Sequence, residues 1–270
     1  MQLKQSLMAL AVAGVMALSA PTMVGCVSNT TSNSSTTDRS QLMLVSEQEV
    51  MTQSAQAYDE VIAQAKAQGV LNTNKALTAR VQKIGDRLIA KAPTFRADCA
   101  QWDWEVNVIT SQELNAWCMA GGKIAVYTAL VEQLNLTDDE LATVMGHEIA
   151  HALREHVREQ MSTQTLKQGA LGIASLFGVS NTTLNIANTL AEVGVSLPFS
   201  RSHETEADEL GLELMYKAGY DPQKGIKIWE KMMAQGSGNS GLAALLSTHP
   251  ADDERLANLT QLAAELKADK

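Results

Sequence analysis

The sequence has little positive charge, few cysteines and few histidines. Its 270 residues include 21 Lys and Arg against 30 Asp and Glu, which gives a formal net charge of −9, and they include three Cys and five His. An acidic chain has no general electrostatic attraction for polyanions, so we expect no nucleic acid partner. The sequence also lacks internal repeats, which excludes solenoid and propeller architectures.

The hydrophobic run near the N-terminus is too short for a confident transmembrane helix, which needs about 20 apolar residues. It extends over fourteen residues from Leu7 to Ala20, with Lys4 before it and Met23-Val-Gly-Cys26, which resembles a bacterial lipobox, after it. We therefore expect residues 1–25 to be a lipoprotein signal peptide, cleaved before a lipid-bearing Cys26 that anchors the protein to a membrane. A plain secretory signal cleaved near Ala20 is the alternative.

A polar segment follows the predicted lipid anchor. Between Ser28 and Ser40, eleven of thirteen residues are Ser, Thr or Asn, so residues 26–40 are predicted to be a flexible tether. Residues 41–270 suffice for one core and are predicted to form a single domain. If Cys26 carries lipid, Cys99 and Cys118 remain as an even pair, and either a disulfide or two buried thiols would fit.

Apolar periodicity predicts a mostly helical α+β fold with a small sheet. Helices are predicted from about Gln41 to Gly69, from about Asn74 to Lys91, over residues 204–217, from Asp221-Pro222 and from Asp252 onward, and strands at Trp102 to Ile109 and Lys123 to Tyr127. Within residues 161–198, the most apolar piece has ten residues, too few to span a bilayer. A buried helix or a lid over a cleft is the expectation there, in place of a membrane hairpin.

Two of the five histidines lie in the motif His147-Glu-Ile-Ala-His151, within a stretch of helical pattern. Thr137-Asp-Asp-Glu140 is a capping box that begins this helix. Four residues of helix advance about 6 Å and slightly over one turn, so His147 and His151 share a face and can bind one metal ion. Glu148 beside them has a carboxylate that is free to deprotonate water, as in zinc hydrolases with this pattern.

A catalytic zinc usually takes three protein ligands, so a third one is expected outside this motif. Glu204 and Asp208 are the candidates, because they are four residues apart on one helix face. One of them can bind the metal while the other accepts a hydrogen bond from a ligand His ring. Three neighbours are not expected to be ligands: Glu206, which favours the helix N-terminus, His156, a packing or hydrogen-bonding residue, and His203. Arg201 could pair with Asp208 or a neighbouring acid, or be solvated.

Three further motifs accompany the His pair. They are Asn115-Ala-Trp-Cys-Met-Ala-Gly-Gly-Lys-Ile-Ala-Val-Tyr127, Phe199-Ser-Arg-Ser-His-Glu-Thr-Glu-Ala-Asp208 and Thr248-His-Pro-Ala-Asp-Asp-Glu-Arg255. In this order the motifs resemble metallopeptidase family forty-eight, in particular its LoiP-like branch of periplasmic lipoproteins, over residues from about 45 to 260. The resemblance implies a gluzincin-type fold with a small sheet beside the motif helix, one zinc per chain, and Glu204 as the third ligand.

The resemblance also implies a zinc endopeptidase that cleaves unfolded or misassembled envelope proteins in the periplasm. Val27 follows Cys26 in place of an Asp, which by resemblance to sorted lipoproteins implies an outer-membrane anchor. Two other functions remain open: a chaperone or assembly factor in which peptide binding matters more than cleavage, and a structural zinc lipoprotein, which would need a fourth protein ligand. The strand Gly121 to Tyr127 is expected to pair as an edge strand with a substrate, or else to be internal.

His249 is the remaining candidate site residue. Pro250 after it disfavours helical geometry, so the imidazole is expected on a constrained loop. At the cleft, His249 would either bind the zinc as a fourth ligand and keep the resting enzyme silent, or stabilise the oxyanion of the reaction. The alternative is that His249 caps the final helix.

Overall fold

The computed structural model describes residues 26–32, 39–176, 198–235, 245–250 and 252–268. The predicted signal peptide, residues 1–25, lies outside the described residues, as do residues 177–197 of the predicted buried helix or lid. The described beginning of that stretch belongs to a helix that is described over His156–Leu176. Within these ranges, no helix is long and apolar enough to cross a membrane.

Helices dominate the chain, and a three-stranded sheet lies in its first half. The elements are β1 (Cys26–Ser28), β2 (Gln41–Met43), α1 (Glu47–Ala67), α2 (Lys75–Ile89), β3 (Glu105–Ile109), β4 (Ala116–Met119), β5 (Lys123–Tyr127), α3 (Thr128–Gln133), α4 (Asp138–Leu153), α5 (His156–Leu176), α6 (Arg201–Lys217), α7 (Pro222–Gly225), α8 (Lys227–Gln235) and α9 (Asp253–Ala268). The prediction of a mostly helical α+β fold is confirmed.

The sheet has the order β3–β5–β4, in which β5 pairs parallel with β3 and antiparallel with β4. Gly121 and Gly122 connect β4 to β5, and each has a φ of +83°, a conformation that favours glycine. β5 coincides with the predicted strand, but it lies inside the sheet, so the internal-strand alternative is the correct one. The two edge strands are β3 and β4, and alternation could not predict β4 because all four of its residues are buried.

The predicted helix starts depend on polar caps, and the structure contains them. In α4, the hydroxyl of Thr137 accepts from the backbone N–H of Glu140, and the Glu140 carboxylate accepts from the backbone N–H of Thr137 at 2.7 Å. The predicted capping box is confirmed. Asp221 caps α7, with Pro222 in its first turn, also as predicted.

One large cluster of buried apolar side chains joins α2, the sheet, α4 and α6. It includes Val81, Ile84 and Leu88 of α2, Ile124 and Val126 of β5, Leu141, Met145 and Ile149 of α4, and Leu210 and Leu214 of α6. Cys99 and Cys118 lie in the same cluster as free thiols, so the disulfide alternative is wrong. Burial raises the pKa of Cys99 to about 11 and that of Cys118 well above its ordinary value.

The described part of the predicted tether contacts the domain. β1 pairs antiparallel with β2, so the chain around Gln41 is a strand and not the start of the first helix. Arg154, fully buried at the end of α4, donates to the side chains of Asn29 and Thr31 and to the carbonyl of Arg39. Hydrogen bonds from a buried arginine therefore hold a segment that has little apolar surface to bury. We call residues 26–32 and 39–43 the N-terminal segment; its residues 26–32 and 39–40, which belong to the predicted tether, lie against the domain.

Candidate metal centre

α4 carries His147 and His151 one turn apart on the same face. Their Nε2 atoms lie 3.0 Å apart, and the two side chains are 5% and 3% exposed. Because the two residues are four positions apart in a helix, their imidazole nitrogens meet at one buried point, as the motif predicts.

Glu204 and His249 bring further donor atoms to this point. The Glu204 carboxylate oxygens lie 3.5 Å from His147 Nε2 and 3.4 Å from His151 Nε2. His249 Nδ1 lies 3.0 Å from Glu204 Oε1 and 3.2 Å from His147 Nε2. The ligand atoms of all four residues lie within 4.8 Å of one another. The structure thus brings together the three predicted ligands and adds a fourth donor; we call these four residues the donor cluster.

The chemistry of the donor cluster fits zinc. Imidazole nitrogen and carboxylate oxygen are common zinc ligands, and four of them around one ion form a tetrahedron. Atoms about 2.0–2.2 Å from a tetrahedral zinc lie roughly 3.3–3.6 Å from one another, close to the separations of 3.0 to 3.5 Å in the five pairs of donor atoms given above. Burial lowers the pKa of His151 well below its ordinary value, which keeps its ring neutral and able to bind.

Glu148 borders the donor cluster without belonging to it. Its Oε1 lies 3.7 Å from His249 Nε2, and its side chain is 8% exposed. Burial raises the pKa of Glu148 above its ordinary value, and the nearby rings of His249 and His147 offset only part of the effect. A carboxylate with a raised pKa beside a metal site is suited to accept a proton from water and to return it later.

Asp208 lies behind His147, with its Oδ1 2.9 Å from His147 Nδ1. This contact orients the ring with Nε2 toward the donor cluster. Arg255 of α9 holds the same carboxylate, with its Nη2 2.7 Å from Oδ1 and its Nε in contact with Oδ2. Burial raises the pKa of Asp208, but Arg255 outweighs burial and lowers it below its ordinary value. Of the alternatives for Arg201, the structure excludes Asp208 as its partner: Arg201 lies 3.5 Å from Asp252 and is 87% exposed.

The sequence contained a signal for Arg255, since it ends the motif that begins at Thr248. Arg255 also lies 2.9 Å from Glu204 through its Nη2, and its guanidinium stacks over the ring of Trp229 at 3.9 Å. One arginine therefore neutralises two buried acids beside the metal centre. Helical periodicity could not assign this role, because Arg255 and its partners belong to different helices.

His156 and Glu206, neither of which was expected at the site, lie behind His151. His156 Nδ1 lies 2.8 Å from His151 Nδ1, and His156 Nε2 lies 3.1 Å from Glu206 Oε2. Glu206 is 6% exposed and also binds Arg39 and Arg154, so the expectation that it only favours the helix N-terminus is wrong. Burial lowers the pKa of His156 to about 4, which keeps the ring neutral.

His156 is a packing and hydrogen-bonding residue, as predicted, and the backbone explains how its ring reaches His151. α4 ends at Leu153, and Glu155 has a φ of +51°, so α5 begins in a new direction at His156. A single continuous helix would have turned the ring about 140° away from His151. His203 stacks on His156 with ring centroids 4.4 Å apart and binds Glu159 at 3.1 Å, outside the donor cluster as expected.

Two mostly apolar cavities border the donor cluster. One lies beside the edge strand β4 and is lined by Cys118, His151, Trp102 and Val50 among others. The second is lined by His147, Glu148, Trp229 and Leu245 among others. An extended chain that crosses the centre would thus meet an edge strand and apolar side chains.

Peptidase family M48 is the family whose model matches this chain, over residues 75–263. The matched range includes the donor cluster, Glu148 and Asp208.

Curated relatives carry related names. Mitochondrial metalloendopeptidase OMA1 of Saccharomyces cerevisiae is 30% identical over 234 residues, which cover 83% of this chain and 66% of the relative. The OMA1 protein of Arabidopsis thaliana is 38% identical over 158 residues, 58% of this chain and 31% of the relative. The beta-barrel assembly-enhancing protease of Escherichia coli is 27% identical over 226 residues, 80% of this chain and 45% of the relative. The chain therefore spans between about a third and two thirds of the length of these relatives.

Proposed function

The chain belongs to peptidase family M48, and from this we propose that it is a zinc metalloendopeptidase that cleaves unfolded or misassembled envelope proteins. The observation that carries the proposal is the position of Glu148, a buried carboxylate beside the donor cluster but outside it. A purely structural zinc site needs four protein ligands and no adjacent base. A hydrolase needs both a metal site and a base that can move a proton.

The residues around the centre have separate roles in this reaction. His147, His151 and Glu204 would hold the zinc, which when bound supplies Lewis-acid polarisation of the scissile carbonyl and of a water molecule. Glu148 takes the proton from the attacking water and delivers it to the leaving amine nitrogen. Asp208 keeps His147 in the orientation and tautomer that ligand binding requires.

The edge strand β4 is the proposed site of substrate backbone pairing. It is hydrogen-bonded to β5 on one side, and its Cys118 shares a cavity with His151. Main-chain pairing provides affinity with little dependence on side chains, which suits a protease for unfolded segments. A folded substrate offers no free extended backbone, so the same geometry selects against it.

Envelope location rests on the N-terminal sequence. Met23-Val-Gly-Cys26 resembles a lipobox, and we place the lipid on Cys26 and the catalytic domain in the periplasm at the outer membrane. One of the relatives is named for the assembly of β-barrels, whereas others are named mitochondrial. Mass spectrometry of the mature N-terminus tests the anchor: we expect a diacylated Cys26, and an N-terminus at Pro21 or an unmodified Cys26 would contradict it.

The Glu148→Gln variant tests the catalytic proposal. It removes the base but no ligand, so the purified protein should retain one zinc per chain and lose cleavage of casein. Glu230→Gln, at an exposed position of α8, is the matched control and should keep both properties. Full activity of Glu148→Gln would refute the mechanism. Rescue of envelope defects in cells by an inactive Glu148→Gln protein would instead favour a chaperone or assembly factor.

A further inference from the structure

The two histidines of α4 differ in what lies behind them. His147 Nδ1 meets the carboxylate of Asp208 directly, at 2.9 Å. His151 Nδ1 meets a second imidazole, Nδ1 of His156, at 2.8 Å. A carboxylate follows only at the far side of that second ring, where His156 Nε2 lies 3.1 Å from Glu206 Oε2.

The hydrogen-bond partners of His151, His156 and Glu206 determine which ring nitrogens carry protons. The Glu206 carboxylate can only accept, so His156 Nε2 carries a proton and donates it. A neutral imidazole has one N–H, so His156 Nδ1 is an acceptor. The proton between the two rings therefore belongs to His151 Nδ1, which leaves the lone pair of His151 Nε2 directed at the donor cluster.

We propose that His156 and Glu206 form a relay that fixes the orientation and tautomer of His151, as Asp208 does directly for His147. Both are positioning residues, because neither reaches the donor cluster. The relay depends on the proposed function in one respect only, namely that His151 binds the metal through Nε2.

Glu206 is itself held firmly enough to terminate the relay. Arg154 Nε donates to Glu206 Oε2 at 3.0 Å, and Arg39 Nε donates to Glu206 Oε1 at 2.5 Å. Arg39 also binds Glu159 through Nη1 and Nη2, at 2.5 Å and 2.8 Å. The carboxylate that orients His156 is thus fixed in part by the N-terminal segment.

A simple packing role for His156 makes different predictions. His156 stacks on His203 with an angle of 18° between the rings and lies near Phe199, and a phenyl ring could preserve these contacts. A relay needs an acceptor toward His151 and a donor toward Glu206, which a phenyl ring lacks and a glutamine side chain provides. The two roles are therefore separable by substitution.

Imidazole tautomers in the zinc-loaded wild-type protein provide a test without any substitution. Long-range ¹⁵N–¹H NMR spectra of the histidine-labelled full chain distinguish a proton on Nδ1 from one on Nε2. We expect His151 to carry its proton on Nδ1 and His156 to carry its proton on Nε2. A proton on Nδ1 of His156 would overturn the relay, because that ring could then not accept from His151.

Zinc affinity, measured by competition with a chromophoric chelator, tests the positioning role independently of proteolysis. His156→Phe should weaken zinc binding about 10- to 100-fold, the usual cost of losing such a supporting residue. His156→Gln should restore most of the affinity. His203→Phe is the matched control, a substitution in the stacked neighbouring ring, and should bind zinc as wild type does.

Each outcome has a definite meaning. Wild-type affinity in His156→Phe, or an equal loss in His156→Phe and His156→Gln, would overturn the relay. If His156→Phe does not fold, the imidazole tautomers of the wild type and the zinc affinity of His156→Gln still test the relay. If the wild-type chain itself binds no zinc, the proposed function fails, whereas tight wild-type binding with no effect at His156 defeats the relay alone.

Discussion

Gly146 of α4 and Gly211 of α6 meet backbone to backbone. A Cβ on Gly211 would lie 2.7 Å from the backbone nitrogen of His147, and a Cβ on Gly146 would lie 2.7 Å from the carbonyl oxygen of Gly211. The crossing is one residue from His147, and the helix that approaches there carries Glu204 and Asp208. The distance between the two backbones therefore determines whether the third ligand reaches the His pair.

Replacing Gly211 by Ala should push α6 away from α4. The added methyl group meets backbone atoms, which cannot rotate aside, so overpacking should cost about 1–3 kcal/mol of stability and weaken zinc binding. Thermal unfolding and bound zinc would measure both effects. Thr205→Ala, at an exposed position of the same helix, should change neither. A Gly211→Ala protein with wild-type zinc content and stability would show that the crossing is not required.

Glu204 and Glu206 are two residues apart but should differ in their effects on the metal. Glu204→Gln loses a charged ligand, so zinc affinity should fall by more than the roughly 10- to 100-fold that loss of a supporting residue costs. Glu206→Gln should keep zinc, because its amide oxygen still accepts from His156. It should lose about 2 kcal/mol of stability, because Arg39 and Arg154 lose a charged partner. Equal zinc content in wild type and Glu204→Gln would refute the ligand assignment.

Glu140 gives the fold a pH dependence remote from the metal. Burial raises its pKa, but the bonds from Lys231, at 2.8 Å, and from Thr137 outweigh burial, and the pKa is lowered below its ordinary value. A carboxylate with a lowered folded-state pKa stabilises the fold above its unfolded pKa, and this contribution is lost as the pH falls through the folded value.

Lys231→Met should therefore destabilise the protein by about 1 kcal/mol at neutral pH. The difference from wild type should shrink as the medium becomes more acidic than the pKa of Glu140. Urea unfolding of wild type and variant, at neutral pH and at a pH below the pKa of Glu140, measures this difference in stability. The metal content is kept the same in all samples. Lys224→Met on α7 is the control, because Lys224 is exposed. A destabilisation of equal size at all pH values would contradict the role of Glu140.

Local spacing was sufficient to predict the parts of the site that lie on single helices. His147 and His151 are four residues apart, and Thr137 caps the helix that carries them. Glu204 and Asp208 are again four residues apart on one helix. In each case the geometry of one helix brings the side chains together, and that geometry follows from sequence distance alone.

The features that the sequence did not reveal depend on contacts between distant elements or on a break in a helix. Glu206 was misjudged because its partner Arg39 lies in a segment that looks disordered by composition. His156 is the packing and hydrogen-bonding residue that was predicted, but its contact with His151 could not be predicted, because the positive φ of Glu155 follows the end of α4 and α5 begins in a new direction. The close approach of Gly146 to Gly211 is likewise a contact between two helices, which spacing along one helix cannot predict.

His249 is fixed at the centre and not at the end of the last helix. The side chain of Asp252 accepts from the backbone N–H of Arg255 and so caps α9, which leaves no such role for His249. Its Nδ1 lies 3.0 Å from Glu204 Oε1 and 3.2 Å from His147 Nε2. Of the two roles expected at the cleft, these distances favour a fourth ligand that occupies the position of the catalytic water.

His249→Ala should therefore raise the kcat/KM for a peptide substrate while zinc remains bound. For about every 1.4 kcal/mol by which His249 stabilises the zinc centre with four protein ligands, its removal would raise the kcat/KM about tenfold. Thr248→Ala, on the same turn, is the control and should leave the rate unchanged. A lower rate would assign His249 to the oxyanion instead. An unchanged rate would exclude both roles, and loss of the metal together with the fold would indicate a structural site with four ligands.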